Sequence, residues 1–224
     1  MEDAARSTQH AALNSPRLLR LFLAVEGNAA VRAAVQEAQA VLRRRGEPPV
    51  RWTHPNDAHL TLQFFGNVRA VHLPEIEAAA APVAARHVPF LLRVGDLGAF
   101  PSREDPRTLW LDIAGETDAL LSLQRDLAAA MLAVVGVVAD RKAFRPHLTL
   151  GRAESRRDTA GASATVAALA RPLAVPATPW PVARFVLMRS LPAPGGGKRY
   201  TVLSAFGLGE RPHPPPPLRQ AERG

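Results

Sequence analysis

The chain contains no cysteine, which rules out disulfides, zinc–thiolate sites and cysteine nucleophiles together. Aromatic residues make up only 5% of it, with a single Tyr, so each aromatic inside a strand pattern is informative. No apolar run approaches the roughly 20 residues of a membrane-spanning helix. Residues 1–15 are polar and lack the apolar stretch of a secretory leader, so the cytoplasm is the expected address. Acidic residues are also short, 20 Asp and Glu against 28 Lys and Arg, giving a net charge of +8 and a pI near 11.3. The excess is mostly arginine, whose planar fork suits phosphate. A basic balance favours anionic partners such as nucleic acid or nucleotides. A coding bias towards Ala, Arg and Pro would give the same charge, which therefore supports a phosphate-bearing substrate without establishing one.

At 224 residues the chain is long enough to bury a core, as one large domain or two small lobes. One tetrapeptide occurs twice: His59-Leu60-Thr61-Leu62 and His147-Leu148-Thr149-Leu150. In each copy apolar and polar residues alternate at the period of a half-buried strand. The leucines face a core, and His and Thr share the opposite face. A single H-x-T means little, since random placement yields roughly a third of one in such a chain. Two copies with identical leucines are harder to assign to chance.

The flanking pattern extends the repeat. Residues 1–16 read as a disordered extension, 17–210 as the folded part and 211–224 as a disordered Pro-rich tail. Leu18 to Val25 predicts a strand, and Ala29 to Arg45 a helix with apolar residues at three- and four-residue steps. Gly46 is its expected terminator. A short strand over Val50 to Thr53 precedes the first HLTL, which runs into Gln63, Phe64, Phe65 and Gly66. Pro74 opens a helix to Arg86, and Phe90 to Leu97 is a strand. Gly98 to Thr108 reads as a polar loop, Leu109 to Ile113 as a strand, and Thr117 to Val135 as a helix stopped by Gly136. After the second HLTL come a helix over 159–170 and strands over Arg184 to Arg189 and Tyr200 to Phe206. The two histidines are 147 − 59 = 88 positions apart. That shift lays Leu21–Val25 on Leu109–Ile113 and Gly27 on Gly115. Each half then reads strand, helix, HLTL strand, helix, strand, an internal duplication of a whole unit. The expected fold class is α+β: two pseudo-symmetric lobes of antiparallel sheet with outer helices, the duplicated strands lining a central cleft.

Two histidines on one cleft admit three chemistries. A metal site needs more ligands than two imidazoles, and no H-E-x-x-H or carboxylate pairing completes the set. A His-activated nucleophile lacks its G-x-S-x-G elbow or Cys. Paired acid–base catalysis suits displacement at phosphorus, where one proton leaves the attacking water and another goes to the departing oxygen. Each Thr, two positions after its His, can donate to a non-bridging phosphate oxygen. Arg145 adds positive charge at the cleft or is simply exposed. Tyr200, on the last strand, reaches phosphate or base or packs at the core edge. His54 and His72 fall in turn-like, solvated segments, and Arg43 to Arg45 end a helix.

Over about residues 17–209 the chain resembles the 2H phosphoesterases, named for paired H-x-T/S-x motifs. Within them it is most similar to the bacterial and archaeal RNA 2′,3′-cyclic phosphodiesterases, also called 2′-5′ RNA ligases. The likeness rests on Arg17 to Ala24, Arg51-Trp52, Asp57 to Gly66, Phe90 to Gly98, Pro106 to Leu111, Phe144 to Arg152 and Tyr200 to Phe206. A monomer that uses no cofactor is the expectation, and the resemblance implies hydrolysis of an RNA terminal 2′,3′-cyclic phosphate to a 2′-phosphomonoester without metal. It also implies reversal to a 2′-5′ ligation. By position it makes His59 and His147 the acid–base pair and gives the phosphate to Thr61 and Thr149. Phe64 and Arg152 then sandwich the nucleobase, for which stacking and cation–π contact are tolerant of base identity. Strict alternation, however, puts Phe64 on the face of Leu62, beside Phe65 in the core. The alternatives are a 2H enzyme of small cyclic nucleotides or of ADP-ribose cyclic phosphate, and a non-catalytic RNA-end binding module.

Overall fold

The computed structural model describes residues 17–45, 49–135, 143–153, 178–192 and 198–210. The expected terminal extensions (1–16 and 211–224), the terminators Gly46 and Gly136, and the helix expected over 159–170 lie outside the described residues. In chain order the elements are β1 (Leu18–Glu26), α1 (Ala29–Arg44), β2 (Val50–Trp52), β3 (His59–Arg69), α2 (Leu73–Arg86), β4 (Phe90–Pro101) and β5 (Pro106–Gly115). They continue with α3 (Thr117–Val135), β6 (His147–Ala153), β7 (Pro179–Val182), β8 (Arg184–Pro192) and β9 (Lys198–Gly207). Among the described residues no helix is long and apolar enough to cross a membrane.

The fold is α+β, as the pattern predicts. The strands run β7-β4-β5-β6-β3-β1-β8-β9, with β2 added to β6, and the pairings are antiparallel. The two halves join in the middle through one register pair, Leu60 with Leu148. These residues hold the same place in the two HLTL copies, so the pseudo-two-fold axis passes between them. A second such pair, Leu92 with Trp180, also joins positions 88 apart. On one side of the sheet the helices cover a large core that includes Leu21, Leu60, Val35, Ile76, Leu123 and Leu148. On the other, a small cluster of Phe22, Ala24, Val186 and Met188 packs against Tyr200.

Local chemistry explains the element ends. Asn28 caps α1, its Oδ1 accepting from the Val31 amide at 2.9 Å, which satisfies a free helix donor. Arg43 and Arg44 in the last turn suit the negative end of the helix. The loop expected over Gly98 to Thr108 is mostly strand: β4 continues to Pro101 and β5 begins at Pro106. Gly98 pairs with Trp110, and a Cβ there would lie 2.2 Å from the indole. The glycine is thus a close-approach residue inside a strand, not a turn residue. The strand Pro179–Val182 has no clear signature in the sequence: two prolines in four residues argue against a sheet. It lies at the sheet edge, where a missing N–H costs no ladder bond, and Trp180 anchors it by donating to the Glu26 carbonyl at 3.1 Å.

The repeat needs one correction. Glu26 pairs with His59 and Asp112 with His147, so the first strands correspond at 112 − 26 = 86, not 88. The next helix starts five positions after Asp112 but three after Glu26, so the helices begin 88 apart again, at Ala29 and Thr117.

Candidate functional site

The HLTL strands bring their polar faces together as expected. His59, Thr61, His147 and Thr149 line one cleft of about 580 Å³, on the sheet side away from the helices. Their neighbours Leu60, Leu62, Leu148 and Leu150 point the other way and are buried.

The two imidazoles are held alike. His59 Nδ1 lies 2.7 Å from the Asp57 carbonyl, and His147 Nδ1 lies 2.8 Å from the Arg145 carbonyl. A carbonyl only accepts, so Nδ1 carries the hydrogen in both rings and Nε2 is left for the cleft. Asp57 and Arg145 are themselves 88 apart, so the anchor belongs to the repeat. The packing of the rings differs. His59 sits between Phe22 (5.0 Å between centroids) and the edge of Tyr200 (4.9 Å). His147 meets Phe100 at 5.1 Å and Trp110 at 6.2 Å. Burial holds both imidazoles below their ordinary value, since it disfavours the charged form. For His59 the Asp57 hydrogen bond opposes this, and repulsion from His147, when that ring is protonated, adds to it. For His147 the Arg145 carbonyl opposes, while the Arg152 and Arg145 guanidinium groups push further down.

Phe64 and Arg152 reach the cleft through a shared irregularity. Strict alternation would bury Phe64, yet it is 55% exposed and lines the cleft. In the β1–β3 ladder Leu23 pairs with Gln63 and Ala24 with Thr61, so Leu62 is skipped. In the β5–β6 ladder Leu109 pairs with Gly151 and Trp110 with Thr149, so Leu150 is skipped. A bulge of this kind re-aims every later side chain on its strand. It turns Phe64 and its counterpart Arg152 to the face of the histidines. The second bulge is pinned from outside: buried Gln39 of α1 donates to the Leu150 carbonyl at 3.0 Å and to the Thr53 carbonyl at 2.7 Å. The Thr53 amide also donates to the Leu150 carbonyl, at 2.9 Å. Gly151 allows β2 to come this close, because a Cβ there would lie 2.5 Å from the Val50 side chain. Arg152 then donates to the Thr108 hydroxyl at 3.0 Å, and Phe64 packs on Phe22 at 5.5 Å.

Tyr200 lines the cleft as well as touching Phe22 and His59. Its hydroxyl is pushed above its ordinary value, by burial first and by Asp57 second, against Arg152 and Arg20; it stays a donor at neutral pH. Arg145 is not among the lining residues. Its guanidinium lies over Trp110 at 4.4 Å and Phe100 at 5.7 Å, while its carbonyl holds His147. His54, expected in a solvated turn, is exposed but borders the cleft. His72 is tied to Glu75 at 2.9 Å.

Sequence reasoning missed Arg20, Arg51, Trp52, Phe22, Ser190 and Lys198, all of which border the cleft. Arg20 and Phe22 alternate on β1, and Lys198 precedes Tyr200 by two on β9. The signal was therefore the strand period, but which face met the cleft depended on strand order. Among the described residues no group of three or more His, Cys, Asp or Glu side chains is placed to hold a metal.

Comparison with known proteins shows the family. Residues 25–192 match the family model described as the 2′-5′ RNA ligase superfamily. The RNA 2′,3′-cyclic phosphodiesterase of Thermus thermophilus is 36% identical over 196 residues, 85% of this chain and 90% of that one. That of Geobacillus stearothermophilus is 38% identical over 128 residues, 55% of this chain but only 40% of the larger relative. The crystal structure of E. coli LigT complexed with 3′-AMP superposes with a TM-score of 0.67 at 27% identity, covering 86% of this chain and 99% of LigT.

Proposed function

The chain belongs to the 2′-5′ RNA ligase superfamily, and from that premise we propose that it is an RNA 2′,3′-cyclic phosphodiesterase with His59 and His147 as its acid–base pair. The observation that carries the reading is the matched anchoring of two imidazoles, each through Nδ1 to a carbonyl, in one cleft with two threonines. The cyclic phosphate lies between Thr61 and Thr149, whose hydroxyls donate to its non-bridging oxygens. His147 takes a proton from water as the water attacks phosphorus, and His59 gives one to the departing 3′ oxygen of the ribose. The product is a 2′-phosphomonoester. Burial first, and then the guanidinium groups of Arg152 and Arg145, favour a neutral His147, which suits the base. With a 5′-hydroxyl RNA end in place of water, the same proton transfers join RNA reversibly through a 2′-5′ bond: His147 takes the hydroxyl proton and His59 protonates the departing 3′ oxygen.

Phe64 and Arg152 hold the nucleobase by stacking and cation–π contact, and Tyr200 donates its hydroxyl towards the phosphate. The reading takes the protein as a cytoplasmic monomer that needs neither metal nor cofactor. Hydrolysis of a nucleoside 2′,3′-cyclic phosphate in EDTA tests it, with wild type beside His59→Ala and His147→Ala. Each variant should lose on the order of 10²–10⁴ in rate. Full activity in either variant, or loss of wild-type activity in EDTA, sinks the mechanism.

A further inference from the structure

The cleft carries more positive charge than one cyclic phosphate requires. Arg20, Arg51, Arg152 and Lys198 line it, against a single lining carboxylate, Asp57. Among the described residues, no ion pair joins any of these four cations to an acid. Arg51 and Arg152 face each other directly in the β2–β6 ladder, an arrangement that like charges destabilise. On the opposite wall Arg20 pairs with Ser190, and Ser190 with Tyr200. These three form a row across the sheet, and Lys198 stands two residues from Tyr200 on the same strand face. The cations sense one another: the Lys198 ammonium is held below its ordinary value by burial first, then by Arg20, Arg152 and Arg51. Cations gathered in this way suit an anionic ligand.

The first phosphate already has its partners in Thr61, Thr149 and the two histidines. Arg152 is shared with the nucleobase and Thr108. Arg20, Arg51 and Lys198 remain unassigned. The terminal nucleotide of an RNA carries a second phosphate on its 5′ oxygen, on the other side of the ribose from the cyclic phosphate. A ribose held between the two walls would bring that group into the same cleft.

Resting on the activity proposed above, we infer that Arg20, Arg51 and Lys198 form a second phosphate subsite, which takes the phosphate on the 5′ oxygen of the terminal nucleotide. The preferred substrate is then an RNA end or a 5′-phosphorylated nucleotide, not a free nucleoside cyclic phosphate.

The test compares kcat/KM for three substrates: a 5′-hydroxyl nucleoside 2′,3′-cyclic phosphate, its 5′-phosphorylated form, and a dinucleotide ending in the cyclic phosphate. Both phosphorylated substrates should exceed the first by about tenfold or more, the usual order for a charge-assisted contact. The ratio should fall towards one in Arg20→Gln, Arg51→Gln and Lys198→Met, and also with added salt. Because the ratio is taken within each variant, loss of folded protein cancels from it. Equal kcat/KM on all three substrates overturns the subsite, as does a wild-type ratio retained in all three variants. A gain confined to the dinucleotide also overturns it, since the second nucleoside then supplies the contact. Turnover of none of the three defeats the proposed activity instead. The subsite is then judged by binding of a nucleoside 5′-monophosphate against the nucleoside, and equal affinity overturns it.

Discussion

Leu60 and Leu148, equivalent residues of the two halves, are each other's partner across the centre of the sheet, and both are fully buried. Each is flanked by the His and Thr of its own motif, so this contact sets the distance between the two sets of polar groups. Replacing either leucine by Ala should cost about 2–5 kcal/mol, the usual range for a buried Leu. The double variant should depart from additivity by more than about 0.5 kcal/mol, because the two side chains share one space. Denaturant unfolding of the two single variants and the double variant checks this. Strict additivity would mean that the halves are held together elsewhere.

The histidines predict an acid optimum. Both are held below their ordinary value of 6.5 in the free protein, and the reaction needs one protonated and one neutral. The population of that form peaks between the two values and falls as pH rises past them. The pH profile of kcat/KM, which reports the free enzyme, should therefore be bell-shaped with its maximum below pH 6.5. Arg145→Gln removes a charge that depresses His147 and keeps the carbonyl that anchors it, so the limb belonging to His147 should move to higher pH. A profile that rises through pH 8 would contradict the arrangement.

Phe64 separates binding from stability. It is 55% exposed, so Phe64→Ala should cost less than about 1 kcal/mol of stability, well under the cost of emptying a buried site. Loss of base stacking, about 1–3 kcal/mol per base, should instead appear as a rise in KM of about tenfold. Steady-state kinetics alongside thermal melts tests this. A large fall in stability with unchanged KM would make Phe64 a packing residue after all.

Gln39 acts at a distance from the cleft. Gln39→Leu removes the donors to the Thr53 and Leu150 carbonyls and should cost about 1–3 kcal/mol, the range for buried groups left unsatisfied. Because those bonds pin the bulge that aims Arg152, KM should also rise, and more than in Gln39→Glu, whose protonated carboxyl can still donate one bond at low pH. Kinetics of both variants at pH 5 and pH 8 distinguish a positioning role from a purely structural one.

The sequence was most readable where chemistry and periodicity coincide. His59, Thr61, His147 and Thr149 declare their common face through alternation alone, and the duplication brings the faces together. Phe64 shows where that reading stops. Alternation assigns it to the core, and the bulge that frees it depends on the register of β1 against β3, a long-range pairing with no local signature. Arg20, Arg51 and Lys198 were missed for a related reason: each lies on an ordinary strand, and strand order alone brings the three strands around one cleft. The edge strand Pro179–Val182 is hidden by its prolines, which fit a strand that pairs on one side only among the described residues.

The self-pairing of Leu60 and Leu148 has the symmetry of an isologous dimer carried within one chain. In two identical subunits, every substitution near the axis appears twice, so the two walls of a central site must remain alike. Fusion removes that constraint. Phe64 and Arg152 occupy equivalent places after equivalent bulges, yet one offers a flat apolar ring and the other a cation. The linked halves thus keep a common scaffold for the phosphate while giving its surroundings a direction, so that a ligand with unlike ends can bind in only one orientation.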